Sequence, residues 1–425
     1  MSTLPHQESS LENWFQRSRG MHVAWWVIGW VALFGVLSAT QLVIWLAAVS
    51  SIGLMVFTRG QWMNTPGAGA YGLLLACFLI PGLLSLTDAI DLNRAVSTNA
   101  RLLAYGLAGL LFLRIGPTEQ QWPATVLWLT ALLVIWSIDG IVQEWRGISL
   151  SGYPLFTGLP EGHKVTGSMG LDYGPKLAVL SPFLFEALRL HGRRLPLLWL
   201  AVPLLAVAVS LSASRYSAML LLVSAGFCGA LWVRGRTSRS YWTPALVVLL
   251  SLSGLLIPIA LAPHLAERLT LLGGALNASQ EELNVALALR PELWKANWLV
   301  FSDHWINGVG LRGSAAAVNP LLASSALFPE AMLTRPWHPH LGVLEIAADS
   351  GLIGVLFYLI FVTLIIKWMW AANRAQQGAV TTLLMIALLA MFPLSSALSM
   401  YSFPTGSLTW PALGLALGVY FRNKA

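Results

Sequence analysis

Long apolar runs, separated by short polar segments, recur along almost the whole chain. Most of them reach the ~17–25 residues that one α-helix needs to cross a bilayer. The pattern predicts an all-α polytopic membrane protein with about twelve transmembrane helices, organised as one integral membrane domain over residues 1–425. We place these helices at approximately 22–40, 42–58, 69–87, 102–115, 123–142, 175–191, 195–213, 216–233, 243–262, 342–371, 379–397 and 405–421.

Composition and charge support this class and orient the chain. Hydrophobic residues make up 56% of the 425 residues and charged residues only 10%, whereas a soluble domain carries roughly 25% charged residues. With this helix count, the lysines and arginines that flank the helices fall on the side of both termini, which the positive-inside rule assigns to the cytoplasm. The net charge of +7 is therefore mostly topological. The sequence does not contain the clustered basic face that binding of a nucleic acid would need.

The opposite side of the membrane holds polar segments that topology does not explain. They are a loop over about 143–174, the turn from Ser212 to Ala218, and a long loop over 263–340 between predicted helices nine and ten. Loops of that length are commonly functional. Within the long loop, the segment from Arg290 to Trp305 has the spacing of an amphipathic helix, which suits the membrane interface.

Two arginines and two histidines on this side are the main candidates for chemistry. Arg215 and Arg290 suit either a snorkelling role at the interface or bidentate binding of a phosphate group. His338 and His340 flank Pro339 at the mouth of a predicted helix, which favours proton transfer. Zinc is the competing interpretation, because Glu345 could complete a ligand set, but the spacing matches no standard zinc motif. We therefore predict no metal.

Other charged residues surround these four in the sequence. Glu345 and Asp349 share one face of the helix that follows the histidines, where the helix macrodipole alone favours carboxylates. The remaining charges are either ordinary loop charges or a rim that binds substrate. As candidates for substrate binding beside Arg215 and Arg290 we take Lys164, Asp172, Arg312 and Arg335.

Four segments in order resemble the bacterial O-antigen ligase and polymerase superfamily. "HPHLGVLEIAADSGLIG" resembles the histidine that precedes a Gly-x-x-Gly helix start, although Leu341 stands where the family usually has Asn, so that the choice between the two histidines stays open. "SRYSAMLLL" is similar to the Ser-Arg turn, with Arg215, and "LRPELWKANWLVFSDHWINGVG" to the Arg-x-x-x-Trp helix, with Arg290. "VTGSMGLDYGPKLAVL" matches a fourth segment more loosely. By motif, the resemblance covers roughly 165–360.

The resemblance implies an enzyme of the bacterial inner membrane with a periplasmic active site. It would move a glycan from undecaprenyl pyrophosphate to a sugar hydroxyl of lipid A-core, as a ligase, or to another lipid-linked glycan, as a polymerase. Length and helix count fit the ligase. We expect inverting, metal-independent transfer without a cofactor, with Arg215 and Arg290 on the pyrophosphate and His338 or His340 as general base. The rival from another class is a lipid-linked glycan transporter, which should carry polar groups at membrane depth.

Overall fold

The computed structural model describes most of the chain after the first 28 residues. The described residues are 29–32, 37–58, 64–114, 118, 120–159, 162–234, 242–261, 265–266, 284, 287, 289–323, 328 and 337–424. The architecture is nearly all-α, with the helices running along the whole described chain.

The first half of the chain consists of helices and one short β-hairpin. In chain order the elements are α1 (Leu37–Phe57), α2 (Ala68–Leu84), α3 (Leu92–Arg114), α4 (Trp122–Arg146), β1 (Phe156–Leu159), β2 (Gly162–Lys164), α5 (Tyr173–His191), α6 (Ala201–Leu211) and α7 (Arg215–Arg234). Short 3₁₀ segments follow α2 and precede both α5 and α6, at Ser85–Asp88, Gly167–Asp172 and Pro196–Leu200.

The second half contains two short helices between long ones. The elements are α8 (Trp242–Leu261), α9 (Arg290–Asp303), α10 (Ser314–Ala323), α11 (Gly342–Arg374), α12 (Gly378–Ala390) and α13 (Phe403–Arg422). The helix α11 is broken at Gly351, where φ is 65° and ψ is −164°. This left-handed backbone is accessible to glycine without a steric penalty.

The helices form two groups that meet at α12. In one group α13 packs against α3 and α12, α3 packs against α1, and α2 packs against α11. In the other group α5 packs against α4 and α7, and α8 packs against α6 and α7. Contact between α12 and α5 joins the groups. The segments Tyr173–Leu188 of α5 and Thr405–Tyr420 of α13 are buried at every residue, so both helices form the centre of the bundle.

The chain is a multi-pass membrane protein, and the structure accounts for part of the predicted helix count. Among the described residues, six helices are long and apolar enough to cross a membrane: α3, α4, α7, α8, α11, and α2 together with its 3₁₀ extension. The helices α1, α6 and α12 are shorter apolar segments over the residues assessed. Twelve transmembrane helices, and the side of the membrane on which each loop lies, stay predictions.

Several predicted boundaries are wrong. The hydropathy run at 102–115 is the second part of α3, which begins ten residues earlier in a polar stretch that forms helix without being apolar. The predicted helix at 379–397 ends at Ala390, because residues 391–402 form a loop that binds other parts of the protein. The fold is also not purely α-helical, since β1 and β2 pair as an antiparallel hairpin inside the predicted loop 143–174.

The amphipathic helix of the long loop is present as α9, and a face other than the one that carries Trp298 packs on the protein. The face that packs on the protein consists of Leu293, Ala296, Asn297 and Val300. Trp298 is 59% exposed and Trp305, beyond the helix end, is 53% exposed. These aromatic rings face outwards, as expected of a helix at a membrane interface.

Candidate functional site

Arg215 is the first residue of α7 and follows a tight turn after α6. The turn is closed by Ser214, whose Oγ accepts hydrogen bonds from the backbone N of Ser217, at 3.3 Å, and from its Oγ, at 2.7 Å. The hydroxyl thereby satisfies one of the free N–H groups at the helix start. Arg215 is thus held at the end of the helix pair, as its position in the sequence predicted.

The polar hairpin lies against the same turn. The backbone N of Val165 donates to the carbonyl oxygen of Leu211 at 3.3 Å, which fixes Lys164 beside the end of α6. Asp172 lies farther along this loop. Burial raises the pKa of Asp172, while the charges of Lys176 and Lys164 act in the opposite direction. Lys164 and Asp172 are therefore close enough to interact.

Two polar side chains near the end of α4 hold this loop in place. Asp139 accepts hydrogen bonds from the backbone N of Leu150, at 2.7 Å, and of Ser168, at 2.9 Å. Gln143 accepts from the backbone N of Thr166 and Gly167, at 2.8 and 2.7 Å. Both side chains are buried. Sequence reasoning missed them, because one acid and one amide at the end of an apolar run carry no motif.

Arg290 begins α9 and lies within electrostatic range of Arg215. Burial lowers the pKa of Arg290, and the charge of Arg215 lowers it further. Two guanidinium groups that repel each other in a partly buried position gain stability when an anion binds between them. An anion placed between the two guanidinium groups would therefore be stabilised by both.

Arg312 is held by the helix that follows the histidines. Its backbone N donates to Oδ2 of Asp349 at 2.7 Å, and the backbone N of Ser314 donates to Oδ1 of Asp349 at 3.0 Å. The backbone N of Val309 donates to the carbonyl oxygen of Ala348 at 3.1 Å. The turn formed by Gly308, Val309 and Gly310, called the Gly-Val-Gly turn below, is thus fixed to α11 within one helical turn of the break at Gly351.

The two histidine rings lie against each other at an angle of 43°, with their centroids 3.9 Å apart. Their Nδ1 atoms have opposite hydrogen-bond roles, one as a donor and the other as an acceptor. Nδ1 of His340 lies 2.6 Å from the carbonyl oxygen of Ser396, and since a carbonyl only accepts, this Nδ1 carries the proton. Nδ1 of His338 accepts from the backbone N of His340 at 3.2 Å. In the neutral pair, Nε2 of His340 is therefore an acceptor and Nε2 of His338 a donor.

Both histidines are neutral at physiological pH. Burial, followed by the charges of Arg312 and Arg290, lowers the pKa of His338 to about 4. Burial and the neighbouring His338 lower the pKa of His340 to about 3, with smaller contributions from Arg290 and Lys164 and an opposing one from the Ser396 carbonyl. These couplings place Lys164, Arg290 and Arg312 around the histidine pair.

The loop that orients His340 is anchored by Glu345. The carboxylate accepts from Oγ of Ser399 at 2.5 Å and from the backbone N of Met400 at 2.8 Å. Glu345 and Asp349, which share one face of α11, therefore each hold a different loop, a role beyond their interaction with the helix dipole. Sequence reasoning missed Ser396 altogether, because its segment continued an apolar run.

Backbone strain is concentrated at this site. Five described non-glycine residues have positive φ values: Ala213, Leu289, Arg312, His340 and Gln376. The first two lie just before Arg215 and Arg290, and the next two are site residues themselves. Such conformations cost free energy and persist where the surrounding contacts determine them, often at active sites.

The structure thus brings most of the predicted residues into one region. Arg215, Arg290, His338 and His340 are linked to one another directly or through a neighbour, and Lys164 and Arg312 are in range of the histidines. Asp172 interacts with Lys164 and not directly with the histidines. Arg335 lies outside the described residues. The arrangement combines anion-binding groups with a neutral imidazole that can accept a proton.

Metal ligands do not cluster in the described part of the chain, where no three His, Cys, Asp or Glu residues are grouped to hold an ion. Nε2 of His163 lies 2.9 Å from Oε2 of Glu144.

Part of the chain matches a known protein family. The model of a family described as O-antigen ligase matches residues 200–359, from the last residue before α6 to the middle of α11. The matched region contains both candidate arginines and both histidines, together with Arg312. Lys164, Asp172 and Ser396 lie outside it. A search of curated proteins found no significant match.

Proposed function

We propose that the protein is a ligase that transfers a glycan from undecaprenyl pyrophosphate to a sugar hydroxyl of lipid A-core, in keeping with the match of residues 200–359 to the O-antigen ligase family model. The reaction would take place at the periplasmic face of the bacterial inner membrane. The observation that carries the proposal is the fixed His340 tautomer beside the Arg215–Arg290 pair, since one glycosyl transfer needs both a base and an anion site.

In this mechanism Arg215 and Arg290 bind the pyrophosphate of the donor. The planar guanidinium of an arginine can donate hydrogen bonds to two oxygens of one phosphate group. The positive charges of Arg215 and Arg290 stabilise the negative charge that grows on the bridging oxygen. Lys164 and Arg312 add positive charge on either side of the histidines, and we assign Arg335 to the same rim. Asp172 would keep Lys164 in position. No divalent ion is required for this charge balance, so we expect metal-independent transfer without a cofactor.

His340 is the general base. The acceptor hydroxyl oxygen attacks the anomeric carbon while the bond from that carbon to the pyrophosphate oxygen breaks. The hydroxyl proton passes to Nε2 of His340, and the electron pair leaves with undecaprenyl pyrophosphate. A single displacement of this kind inverts the configuration of the anomeric carbon. His338, with its proton on Nε2, would donate a hydrogen bond to one of the reacting oxygens.

The low histidine pKa values fit the order of these events. In the free protein burial, the neighbouring His338 and, to a smaller extent, the nearby cations lower the pKa of His340, which keeps it unprotonated and ready to accept a proton. Bound pyrophosphate offsets the charge of those cations, which raises the pKa of His340 towards the working pH, where a general base is most effective. The donor thus activates the base that uses it.

The test is reconstitution with purified components. Wild-type protein and the variants Arg215→Gln and Arg290→Gln are mixed with undecaprenyl-pyrophosphate glycan and lipid A-core, with a chelator and without nucleotide. Arg193→Gln, at an exposed position between α5 and α6, is the matched control. Glycan on lipid A-core from the wild type and the control, lost in the other two variants, supports the ligase.

Two other outcomes would decide against the ligase. Elongated lipid-linked glycan in place of modified lipid A-core would make the protein a polymerase of the same superfamily. Glycan that crosses liposomes without either product would make it a transporter. A requirement for a divalent ion would overturn the metal-independent mechanism while leaving the ligase activity in place.

A further inference from the structure

A second group of arginines lies at the start of α3 and after the turn that packs on it. Arg94 and Arg101 lie in the first three turns of α3, in the polar stretch that hydropathy did not detect. With Thr98 and Tyr105 they form a single stripe, because residues spaced by three or four positions share one helix face. Thr98 and Tyr105 are buried, so this stripe faces the protein and not the lipid.

The Gly-Val-Gly turn brings Arg312 to this stripe. The backbone N of Ile90 donates to the carbonyl oxygen of Val309 at 3.1 Å. A side chain at Gly310 would lie 2.8 Å from Cβ of Ala89 and 3.1 Å from Cβ of Ala95, so the turn lies directly on the start of α3. Arg312 follows two residues later.

Electrostatic couplings confirm that the three guanidinium groups are neighbours. Arg94 is within electrostatic range of Arg312 and Arg101. Tyr105 is within range of both Arg101 and Arg312. Three like charges on partly buried side chains repel one another, which is unfavourable unless an anion is bound.

Nearby carboxylates attract this group without forming an ion pair with it among the described residues, since the charges of Asp91 and Asp349 both act on Arg94. In the described part of the chain, Arg189 forms an ion pair with Glu186, whereas none is formed by Arg94, Arg101 or Arg312. The closest acids already accept backbone hydrogen bonds. Asp91 accepts from the N of Arg94 at 3.0 Å, and Asp349 accepts from the N of Arg312.

The group is separate from the arginine pair assigned to the donor. The charges that act on His340 are those of Arg290 and Lys164, whereas Arg312 is the cation that acts most strongly on His338. Arg290 acts on both histidines, whereas Lys164 acts on His340 and Arg312 acts on His338, so Lys164 and Arg312 act on different rings of the pair.

We propose that Arg94, Arg101 and Arg312 form a second anion site, which binds a phosphate or carboxylate group of the acceptor glycolipid. This inference rests on the proposed function for the identity of the acceptor. With the pyrophosphate of the donor on one side and the anion of the acceptor on the other, the acceptor hydroxyl lies at the histidines between them. The site selects acceptors that carry negative charge on their inner sugars.

The test measures acceptor binding apart from turnover. Wild type, Arg94→Gln and Arg101→Gln are reconstituted in nanodiscs of zwitterionic lipid, so that anionic headgroups do not compete. The probes are lipid A-core and the same preparation dephosphorylated with hydrofluoric acid. Arg114→Gln, at the other end of α3, is the matched control. Arg94→Lys and Arg101→Lys retain the charge and should restore part of the affinity.

Each variant to glutamine should weaken binding of lipid A-core about 10-fold or more, the size of one lost charge-assisted contact. The donor KM and the control should stay unchanged. A loss confined to the phosphorylated probe identifies phosphate, and an equal loss with both probes identifies carboxylate. Unchanged acceptor binding, or a raised donor KM instead, overturns the second site.

The same experiment separates this inference from the proposed function. Arginine-dependent binding of lipid A-core without any transfer by the wild type would leave the second anion site in place and refute the ligase. Transfer by the wild type that is equally efficient in all the arginine variants of α3 would refute the second site and retain the ligase.

Discussion

Nδ1 of His340 lies 2.6 Å from the carbonyl oxygen of Ser396, and this contact distinguishes two histidines that look equivalent in the sequence. The carbonyl holds the proton on Nδ1 and leaves Nε2 free to accept another. His338 has the reverse arrangement, because its Nδ1 accepts from the backbone. A hydrogen bond to the second nitrogen of an imidazole commonly sets the tautomer in this way.

The loop that carries Ser396 should depend on Glu345. In Glu345→Gln, an amide replaces a carboxylate that accepts from both Ser399 and Met400. One of the two donors would then face an NH₂ group, at a cost of about 1–3 kcal/mol. We expect kcat to fall, by about 10-fold for a cost of 1.4 kcal/mol, while the KM values for donor and acceptor change little. Steady-state kinetics with each substrate varied in turn measure this. A KM effect without a kcat effect would show that Glu345 does not act through His340.

Asp349 should hold Arg312 in the same manner. Asp349→Asn removes one of two acceptors for the backbone N–H groups of Arg312 and Ser314, which should cost about 1–3 kcal/mol because the site is buried. The midpoint of thermal unfolding in detergent should fall, and the acceptor KM should rise. Asp303→Asn makes the same chemical change at an exposed residue and is the control. Equal unfolding midpoints for the two variants would contradict this role.

The break in α11 should tolerate no side chain at Gly351. An added Cβ would meet the carbonyl group of Ile306, and φ of 65° is unfavourable for alanine. We expect Gly351→Ala to lower the unfolding midpoint by the equivalent of at least about 1 kcal/mol. The control is Gly72→Ala in α2, where a Cβ would have no atom within 4 Å and φ is not positive. The prediction fails if both variants unfold at the same temperature.

The kcat/KM for the donor should be independent of pH near neutrality. The pKa of His340 is lowered to about 3 and that of His338 to about 4, so the free protein keeps the base unprotonated through the range from about pH 8 to about pH 5, although the ordinary histidine value is about 6.5. Because kcat/KM reports on the free enzyme, kcat/KM for the donor should stay flat over that range. An inflection near the ordinary histidine pKa would contradict the environment described here.

Hydropathy predicted the helical class, and motif spacing singled out the two arginines and two histidines that the structure brings into one region. Both were possible because apolar runs and the rare charges beside them are visible in a sequence. Hydropathy failed where helices are polar. The start of α3, with Arg94 and Arg101, was placed outside any helix. The central helices α5 and α13 are surrounded by protein, so their composition need not follow that of lipid-facing helices.

The contacts that Ser396 and Asp349 make in the site join segments that are far apart in the sequence. Ser396 is 56 positions from His340 in the chain, and a backbone carbonyl leaves no signature in residue type. The same is true of Asp349, whose two partners lie 37 and 35 residues away. The positive φ values at Arg312 and His340 also follow from these contacts and not from local sequence preferences.

The most direct test of the account compares His340→Gln with His338→Gln in the purified transfer reaction, with saturating donor and lipid A-core and with a chelator present. Loss of the general base should lower kcat of His340→Gln by roughly 10²–10⁴-fold. His338→Gln keeps a side-chain donor and should lose much less. Donor binding should be retained in both, because neither histidine holds the pyrophosphate. A wild-type rate in His340→Gln, or a greater loss in His338→Gln, would contradict the assignment of His340 as the base.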